Sequence, residues 1–196
     1  IRQERREDLL VYLALAAFGN RQPFGALEDS LGFDIRAFFG SYKKACLEAD
    51  ALLHSAGKQS AIDQACRATD FGKLLPDALY VHHTAVSRLP PLLRVYEGCG
   101  RQLIGAVEDM TLVKMARDRA RVSYLVYQDF DRVAHPVLRE SFIAELPRLR
   151  VHHRDYRQSA NPPILHRKEL VVTEDYPARK KFEKLTRQEE RAGVLG

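Results

Sequence analysis

The residues with the clearest chemical signature are basic, and they are concentrated between positions 148 and 168. Asp155 is the one acidic residue within this stretch and Glu169 follows it directly, while three of the seven histidines of the chain lie inside it. Its cations are Arg148, Arg150, Arg154, Arg157, Arg167 and Lys168. Guanidinium and ammonium groups supply many of the contacts that proteins make with nucleic-acid phosphates. The stretch therefore favours a DNA-binding surface, although a solvated strand face paired with acids elsewhere has the same composition.

The spacing within this stretch indicates one continuous basic face. Its side chains alternate as in a β-strand, which places Arg150, Arg154 and Tyr156 on the same side. Such a row can follow phosphates, and a tyrosine ring can stack on a base or a sugar. Two prolines after Asn161 would stiffen the neighbouring loop. The residues that we predict to contact DNA are Lys114, Arg150, Arg154, Tyr156, Arg157, Asn161, His166, Arg167 and Lys168.

A metal-dependent nuclease is the first alternative. His153, Asn161 and His166 occur in the order of a His-Asn-His nuclease, in which a base activates water beside a metal ion. The strands predicted on both sides of Asn161 do not match the arrangement of that motif. His166 and Lys168 also match half of a phospholipase-D-type pair, but Thr173 stands where an acidic residue is expected. This alternative therefore depends on His153 and His166.

Other catalytic and cofactor motifs are weak. A dinucleotide or methyl-donor site needs a glycine-rich turn between a strand and a helix, and the glycines at 97–100 fall in a helical pattern. The adjacent histidines at 82–83 and 152–153 would point to opposite sides of a strand, which separates them as metal ligands. Asp129 and Asp131 could share a face and hold Mg²⁺, but a turn or helix-cap role is more common. We predict no catalytic residue, no metal site and no cofactor.

The composition is that of a globular protein with unevenly distributed charge. The 196 residues are 45% hydrophobic and 29% charged, and no apolar run approaches the roughly 18 residues of a membrane span. The net charge of +5 arises in residues 99–196, which hold 19 Lys/Arg against 14 Asp/Glu, whereas residues 1–98 hold 12 of each. This asymmetry favours a polyanionic partner for the second half. The three cysteines lie far apart and fit free thiols, so we expect a cytoplasmic protein.

Two regions of different periodicity must position these residues. Apolar residues recur at helical spacing through residues 1–75, where Asp34 and Ser41 are predicted helix caps. A proline pair at 90–91 begins a further helix, and a charged helix follows Tyr176. Strand-like patterns occur at 112–115, 121–127, 149–156 and 164–172. We predict an α+β fold in which a helical lobe (1–75) precedes an α+β lobe (76–196) with a small, mainly antiparallel sheet, the two forming one compact unit.

Several segments have a distinctive sequence. The longest, residues 156–169, reads Tyr-Arg-Gln-Ser-Ala-Asn-Pro-Pro-Ile-Leu-His-Arg-Lys-Glu. The others are residues 73–82, 92–99, 122–127 and 185–193. Together they resemble the C-terminal region of the DNA phosphorothioation-associated methyltransferase-like family, and the likeness extends over nearly the whole chain. In that family these segments follow a methyltransferase-like domain, which we do not expect within these residues.

The resemblance implies partnership with machinery that replaces a non-bridging phosphate oxygen of DNA by sulfur. Such bacterial systems mark self DNA and restrict unmarked DNA, so the implied partners are DNA and the proteins of phosphorothioation or restriction. Sulfur is larger and less strongly hydrated than oxygen, and a sensor for it would combine an apolar wall with cations. Tyr156, Pro162 and Pro163 could supply that wall beside Arg154 and Arg167. The second alternative is a protein-interaction domain whose helical half docks a modification or restriction subunit.

Overall fold

A computed structural model describes residues 2–194 and confirms the α+β fold. The helices are α1 (Arg2–Ala16), α2 (Asp29–Phe39), α3 (Tyr42–Ala56), α4 (Gln59–Ala68), α5 (Pro91–Ile104) and α6 (Arg179–Arg191). The strands are β1 (Lys73–Leu74), β2 (Ala78–His82), β3 (Leu112–Ala116), β4 (Arg121–Tyr127), β5 (Leu138–Glu145) and β6 (Arg150–Asp155). No described helix combines the length and the apolar character that crossing a bilayer would require.

The sheet is a meander in which every strand pairs antiparallel with the next strand along the chain. Strands β3 and β4 form its centre and are almost entirely buried. Strand β6 lies at one edge, and all six of its residues are exposed. The edge strand is therefore accessible to a partner along its whole length.

One face of the sheet packs on helix α5, which is in turn covered by α1 and α3. The core between them draws residues from both halves of the chain, such as Leu13 of α1, Ile35 of α2, Leu93 of α5 and Tyr124 of β4. Burial of apolar surface is the main source of folding free energy. The helical half and the sheet therefore stabilise each other through one shared core.

The opposite face of the sheet is covered by apolar residues at one end only. There the chain after β6 folds back, and Val171, Val172 and Phe182 pack on Leu112 and Leu125. Further along the same face, polar and charged side chains replace the apolar ones. The covered end fixes the path of the C-terminal segment, and the uncovered end is where a ligand can approach the sheet.

The two predicted helix caps have different outcomes. Ser41 caps α3, because its hydroxyl oxygen accepts a hydrogen bond from the backbone nitrogen of Lys44 at 3.2 Å. The prediction for Asp34 is wrong, since α2 begins at Asp29. Asp34 lies inside the helix, and its carboxylate accepts a hydrogen bond from Arg5 of α1 at 2.6 Å. A contact between helices, which local sequence does not show, determines the position of this acid.

The strand predicted at residues 164–172 is also wrong. These residues form a loop and a short 3-10 turn (Lys168–Leu170), apart from a single bridge between Val137 and Ile164. Arg167 has a left-handed backbone with a φ of 54°, which ends any extended run. The sheet instead gains β5, which the sequence analysis missed and which pairs with both β4 and β6.

Two glycines that interrupt the helical pattern of α5 are sites of close packing. A Cβ atom at Gly98 would lie 2.6 Å from side-chain atoms of Leu15, and one at Gly100 would lie 2.9 Å from the Cβ atom of Val122. Helix α5 is thus held between α1 on one side and the sheet on the other. The absence of side chains at these positions is what allows the three layers to approach.

We expect Gly100→Ala to lower the free energy of unfolding by about 1–3 kcal/mol, because the added methyl group overpacks the contact between α5 and β4. The midpoint of urea unfolding measures the change. Gly25→Ala is the control, since a Cβ atom there meets nothing within 4 Å. Equal losses in the two variants would contradict the packing argument.

Candidate functional site

The predicted alternation along β6 is present in the structure. His153 pairs with Phe142 of β5 and stacks on its ring, with a distance of 4.5 Å between ring centroids. Phe142 packs on the core beneath the helices. Since neighbouring residues of a strand point to opposite faces, Arg150 and Arg154 point away from the helices. They lie on the face that the C-terminal segment covers only in part.

The register of the strands places Lys114 on this face as well. Lys114 pairs with Ser123, Ser123 with Ile143, and Ile143 with His152, so the four residues form one row across the sheet. A neighbouring row places Arg121 beside Glu145 and Glu145 beside Arg150. The sheet therefore brings together cations that lie far apart in the sequence.

A groove of about 340 Å³ continues this surface at the end of β4 and β5, and it is lined by Arg119, Arg121 and Arg148 around Glu145. Arg121 forms an ion pair with Glu145, and its Nε atom is buried without a partner among the described residues. The hydrogen bond from Arg121 lowers the pKa of Glu145, and His152 contributes in the same direction. One carboxylate is thus shared among several cations.

We define the basic face by its cations, which are Lys114, Arg119, Arg121, Arg148, Arg150 and Arg154. Three carboxylates compensate them: Asp77 pairs with Lys114 at 3.1 Å, Asp118 with Arg119, and Glu145 with Arg121. Within residues 2–194, no ion pair or hydrogen bond involves the side chain of Arg150 or Arg154. The face therefore has a net charge of +3 and two exposed guanidinium groups that are free to bind an anion.

Three other predicted DNA contacts lie beyond β6 and differ in their availability. Arg157 forms a bidentate pair with Asp155, whose pKa falls to about 2 because of that side-chain pair and a backbone hydrogen bond from Arg157. Asn161 is exposed in the loop. Tyr156 is half-buried and packs against the apolar residues that cover one end of this face, so only part of its ring could contact a ligand.

Lys168, which we also predicted to contact DNA, is not on the basic face. Its side chain is buried, and its ammonium group donates to the backbone carbonyls of Phe130 and Val133 at 2.6 and 2.7 Å. The same group lies 4.0 Å from the ring centroid of Phe182. Burial lowers the pKa of Lys168 to about 8. Its hydrogen bonds join the 3-10 turn to the loop before β5. The buried ammonium group is therefore not available to bind a phosphate.

His166 and Arg167 point towards helix α6 rather than towards the basic face. Arg167 forms an ion pair with Glu190 at 3.2 Å. The ring of His166 contacts that of His135, with 4.6 Å between their centroids, and both lie close to Glu189. The two residues therefore do not extend the basic face.

The two histidines of the nuclease alternative have separate surroundings. His153 lies on the face towards the helices, where its Nε2 atom is 3.0 Å from a carboxylate oxygen of Glu140. His166 lies behind the opposite face, in contact with His135. The structure does not unite His153 and His166 in one catalytic centre.

A cleft of about 730 Å³ opens where β2 and β4 end. Strand β2 ends at His82, and the turn that follows lets His83 line the same cleft, contrary to the expected opposite orientation. Burial lowers the pKa of His82 to about 4 and also lowers that of His83. Tyr176 donates a hydrogen bond to Asp131 at 2.9 Å on the cleft wall. Neutral histidines beside carboxylates are groups from which a small-molecule site can be built.

The chain was compared with protein-family models, with curated proteins and with solved structures, and none of them matches it. The basic face is therefore the structural feature that points most directly to a function.

Proposed function

We propose that this protein is a DNA-binding accessory domain that contacts the phosphate backbone with the basic face of its sheet. The observation that supports this proposal most directly is the pair of exposed, unpaired guanidinium groups of Arg150 and Arg154 on the edge strand. A phosphate can bind them without breaking an existing ion pair. Charge-assisted hydrogen bonds from arginine are strong and often bidentate.

The spacing of the two arginines suits one strand of a duplex. Four residues of β-strand extend about 13 Å, which corresponds to roughly four nucleotide steps along the DNA axis. Lys114 lies further across the same face, where it could reach a second phosphate if Asp77 turned away. None of these groups reads base edges, so the proposed binding depends on salt more than on sequence.

The proposed context is a bacterial system of DNA phosphorothioation, in which the domain positions a modification or restriction enzyme on DNA. This part of the proposal depends on the sequence resemblance. A preference for sulfur would involve Tyr156 and Pro162 next to Arg154, because their apolar surfaces suit a large, weakly hydrated atom. Arg167 is held by Glu190 and is not included.

We expect the double variant Arg150→Ala/Arg154→Ala to bind duplex DNA about tenfold more weakly per arginine removed at low salt. The slope of log K against log[salt] should fall by about two, since each lost phosphate contact removes close to one counterion. Gel-shift titrations between about 50 and 200 mM salt measure both quantities. Running them with phosphorothioate and unmodified duplexes tests sulfur recognition at the same time.

The matched control is Lys43→Ala/Lys44→Ala, which removes two exposed charges from α3 in the helical half. Its affinity and salt slope should equal those of the unaltered protein. Equal weakening by the two double variants, or weak binding that is insensitive to salt, would reject the basic face as the DNA site.

The same preparations separate the alternatives. A nuclease would cleave plasmid DNA in the presence of Mg²⁺ or Mn²⁺ and lose that activity in His166→Ala. A protein-interaction domain would co-purify with a modification or restriction subunit while showing no affinity for either duplex.

A further inference from the structure

His135 and His166 are brought together by a short pairing that lies outside the sheet. Val137 and Ile164 form an antiparallel bridge, flanked by hydrogen bonds from Leu138 to Pro163 and from Leu165 to Pro136. In an antiparallel pair the register continues in opposite directions along the two chains. The next pair on the same side is therefore His135 with His166, which explains why their rings meet at a centroid distance of 4.6 Å.

Helix α6 adds a carboxylate to this pair. Phe182 and Thr186 are buried on one side of the helix, and Glu189 follows three residues later, which keeps it on that side. The Glu189 carboxylate lies 2.5 Å from the Nε2 atom of His135. One ligand atom from each of His135, His166 and Glu189 can be chosen so that all three lie within 4.8 Å of one another.

Each of these two histidines has one ring nitrogen without a hydrogen-bond partner among the described residues. The Nδ1 atoms of His135 and His166 are both buried, and neither has a hydrogen-bond partner in the described part of the chain. Buried ring nitrogens are normally satisfied, because leaving one unpaired costs free energy. The nearby cations do not supply the missing partners. Arg167 is paired with Glu190, and the Lys168 ammonium group donates to the backbone carbonyls of Phe130 and Val133.

We propose that His135, His166 and Glu189 bind a divalent transition-metal ion, for which Zn²⁺ is the best match. Two imidazoles and one carboxylate are a common zinc ligand set, which leaves a fourth position for water. Zinc bonds of about 2.0–2.1 Å in a tetrahedral arrangement separate the ligand atoms by roughly 3.3 Å. Because the ligand atoms lie within 4.8 Å of one another, small side-chain rotations would bring them to that spacing, and Glu189 would move slightly away from His135.

The ion would connect three segments that are distant in the sequence: the loop before β5, the loop before the 3-10 turn, and helix α6. Contacts that already join the second and third of these are the hydrogen bond from Thr186 to Glu169 at 2.9 Å and the ion pair of Arg167 with Glu190. Metal binding should therefore hold α6 more firmly against the body of the protein. This role is independent of DNA binding by the basic face.

Isothermal titration of the chelator-treated full chain with Zn²⁺ tests the site. We expect one ion per chain, and a melting temperature that rises by about 5–10 °C when free Zn²⁺ is a hundredfold above its dissociation constant. Co²⁺ serves as a second probe, because its visible absorption reports nitrogen and oxygen ligands. Removal of the metal should speed proteolysis within α6.

His166→Ala and Glu189→Gln should each weaken Zn²⁺ binding by roughly 10–1,000-fold, and Glu189→Gln keeps the size of the side chain so that folding is preserved. His153→Ala is the matched control, because His153 and Glu140 form another histidine–carboxylate pair that has only one imidazole. The proposal is overturned if no stoichiometric binding is found. It is also overturned if binding survives in the first two variants, or is lost in His153→Ala.

Discussion

Replacing Arg117 by alanine is expected to lower the free energy of unfolding by about 3 kcal/mol, because a buried guanidinium group that forms an ion pair and several hydrogen bonds is removed. Arg117 follows β3 and is 6% exposed. Its Nε and Nη2 atoms lie 2.7 and 2.6 Å from the same carboxylate oxygen of Asp63 in α4, and its Nη1 atom donates to the backbone carbonyls of Leu75 and Pro76. Without it, these carbonyls lose a partner, and the hydrogen bond from Gln59 of α4 to the backbone carbonyl of Ala116 has to hold α4 to the sheet without the help of the ion pair.

The magnitude is at the lower end of what breaking a buried ion pair costs. Asp63 is not left isolated, since it is partly exposed and also accepts a hydrogen bond from Arg67 at 2.9 Å. Arg119→Ala is the control, because Arg119 lies two residues further along and is exposed in a pair with Asp118. Urea unfolding should show a large loss in the first variant and no measurable change in the second. Similar losses in both would contradict the role given to Arg117.

Local sequence predicted the basic strand correctly because its pattern has a period of two and needs no knowledge of neighbours. Residues 150–155 alternate, and the structure places them in β6 with Arg150 and Arg154 on one face. Lys114 was also predicted to contact DNA, and the structure places it on the same face of the sheet. The pairing that puts it there passes through β5, which the sequence analysis missed.

Composition alone could not show which cations are available to a ligand. Lys168 lies in the most basic stretch of the chain, yet two backbone carbonyls and the ring of Phe182 surround its ammonium group. Arg157 is exposed but neutralised by its neighbour Asp155. Long-range packing decides whether a charge is buried, paired or free, and the one-dimensional pattern contains little of that information.

The cluster of His135, His166 and Glu189 shows the same limit for metal sites. Sequence analysis relies on short, fixed spacings between ligands, and these three residues have none. Their meeting depends on a bridge between two loops and on the side of α6 that faces them. The one available signal was the pattern of the terminal helix, in which Phe182, Thr186 and Glu189 follow helical spacing.

The second large effect is expected at mildly acidic pH and arises from His82. His82 is 3% exposed, its ring lies 4.9 Å from that of Phe130 between centroids, and its Nδ1 atom contacts Thr84 at 2.8 Å. Burial lowers its pKa from the usual value of about 6.5 to about 4, an effect that His83 increases and Asp131 opposes. Between these two values the unfolded chain binds a proton that the folded protein excludes.

Stability should therefore rise with pH across that window and be lost as the pH falls from about 6.5 to about 4. A shift of this size corresponds to about 3 kcal/mol. The pKa of Asp155 is also lowered, to about 2, so the stability that this carboxylate contributes is lost mainly below about pH 4, under the window of His82. His83, whose pKa is also lowered, adds to the loss in the same direction.

His82→Gln removes the titrating group while keeping a polar side chain next to Thr84. The variant should lose less stability than the unaltered protein when urea unfolding is repeated between about pH 7.5 and pH 4. The difference in the free energy of unfolding between the two proteins should therefore become smaller or change sign near pH 4. His54→Gln on the exposed side of α3 should leave the pH profile unchanged. Parallel profiles for His82→Gln and the unaltered protein would show that the folded protein accepts a proton at His82. The imidazole would then not be held neutral by the packing of the cleft wall.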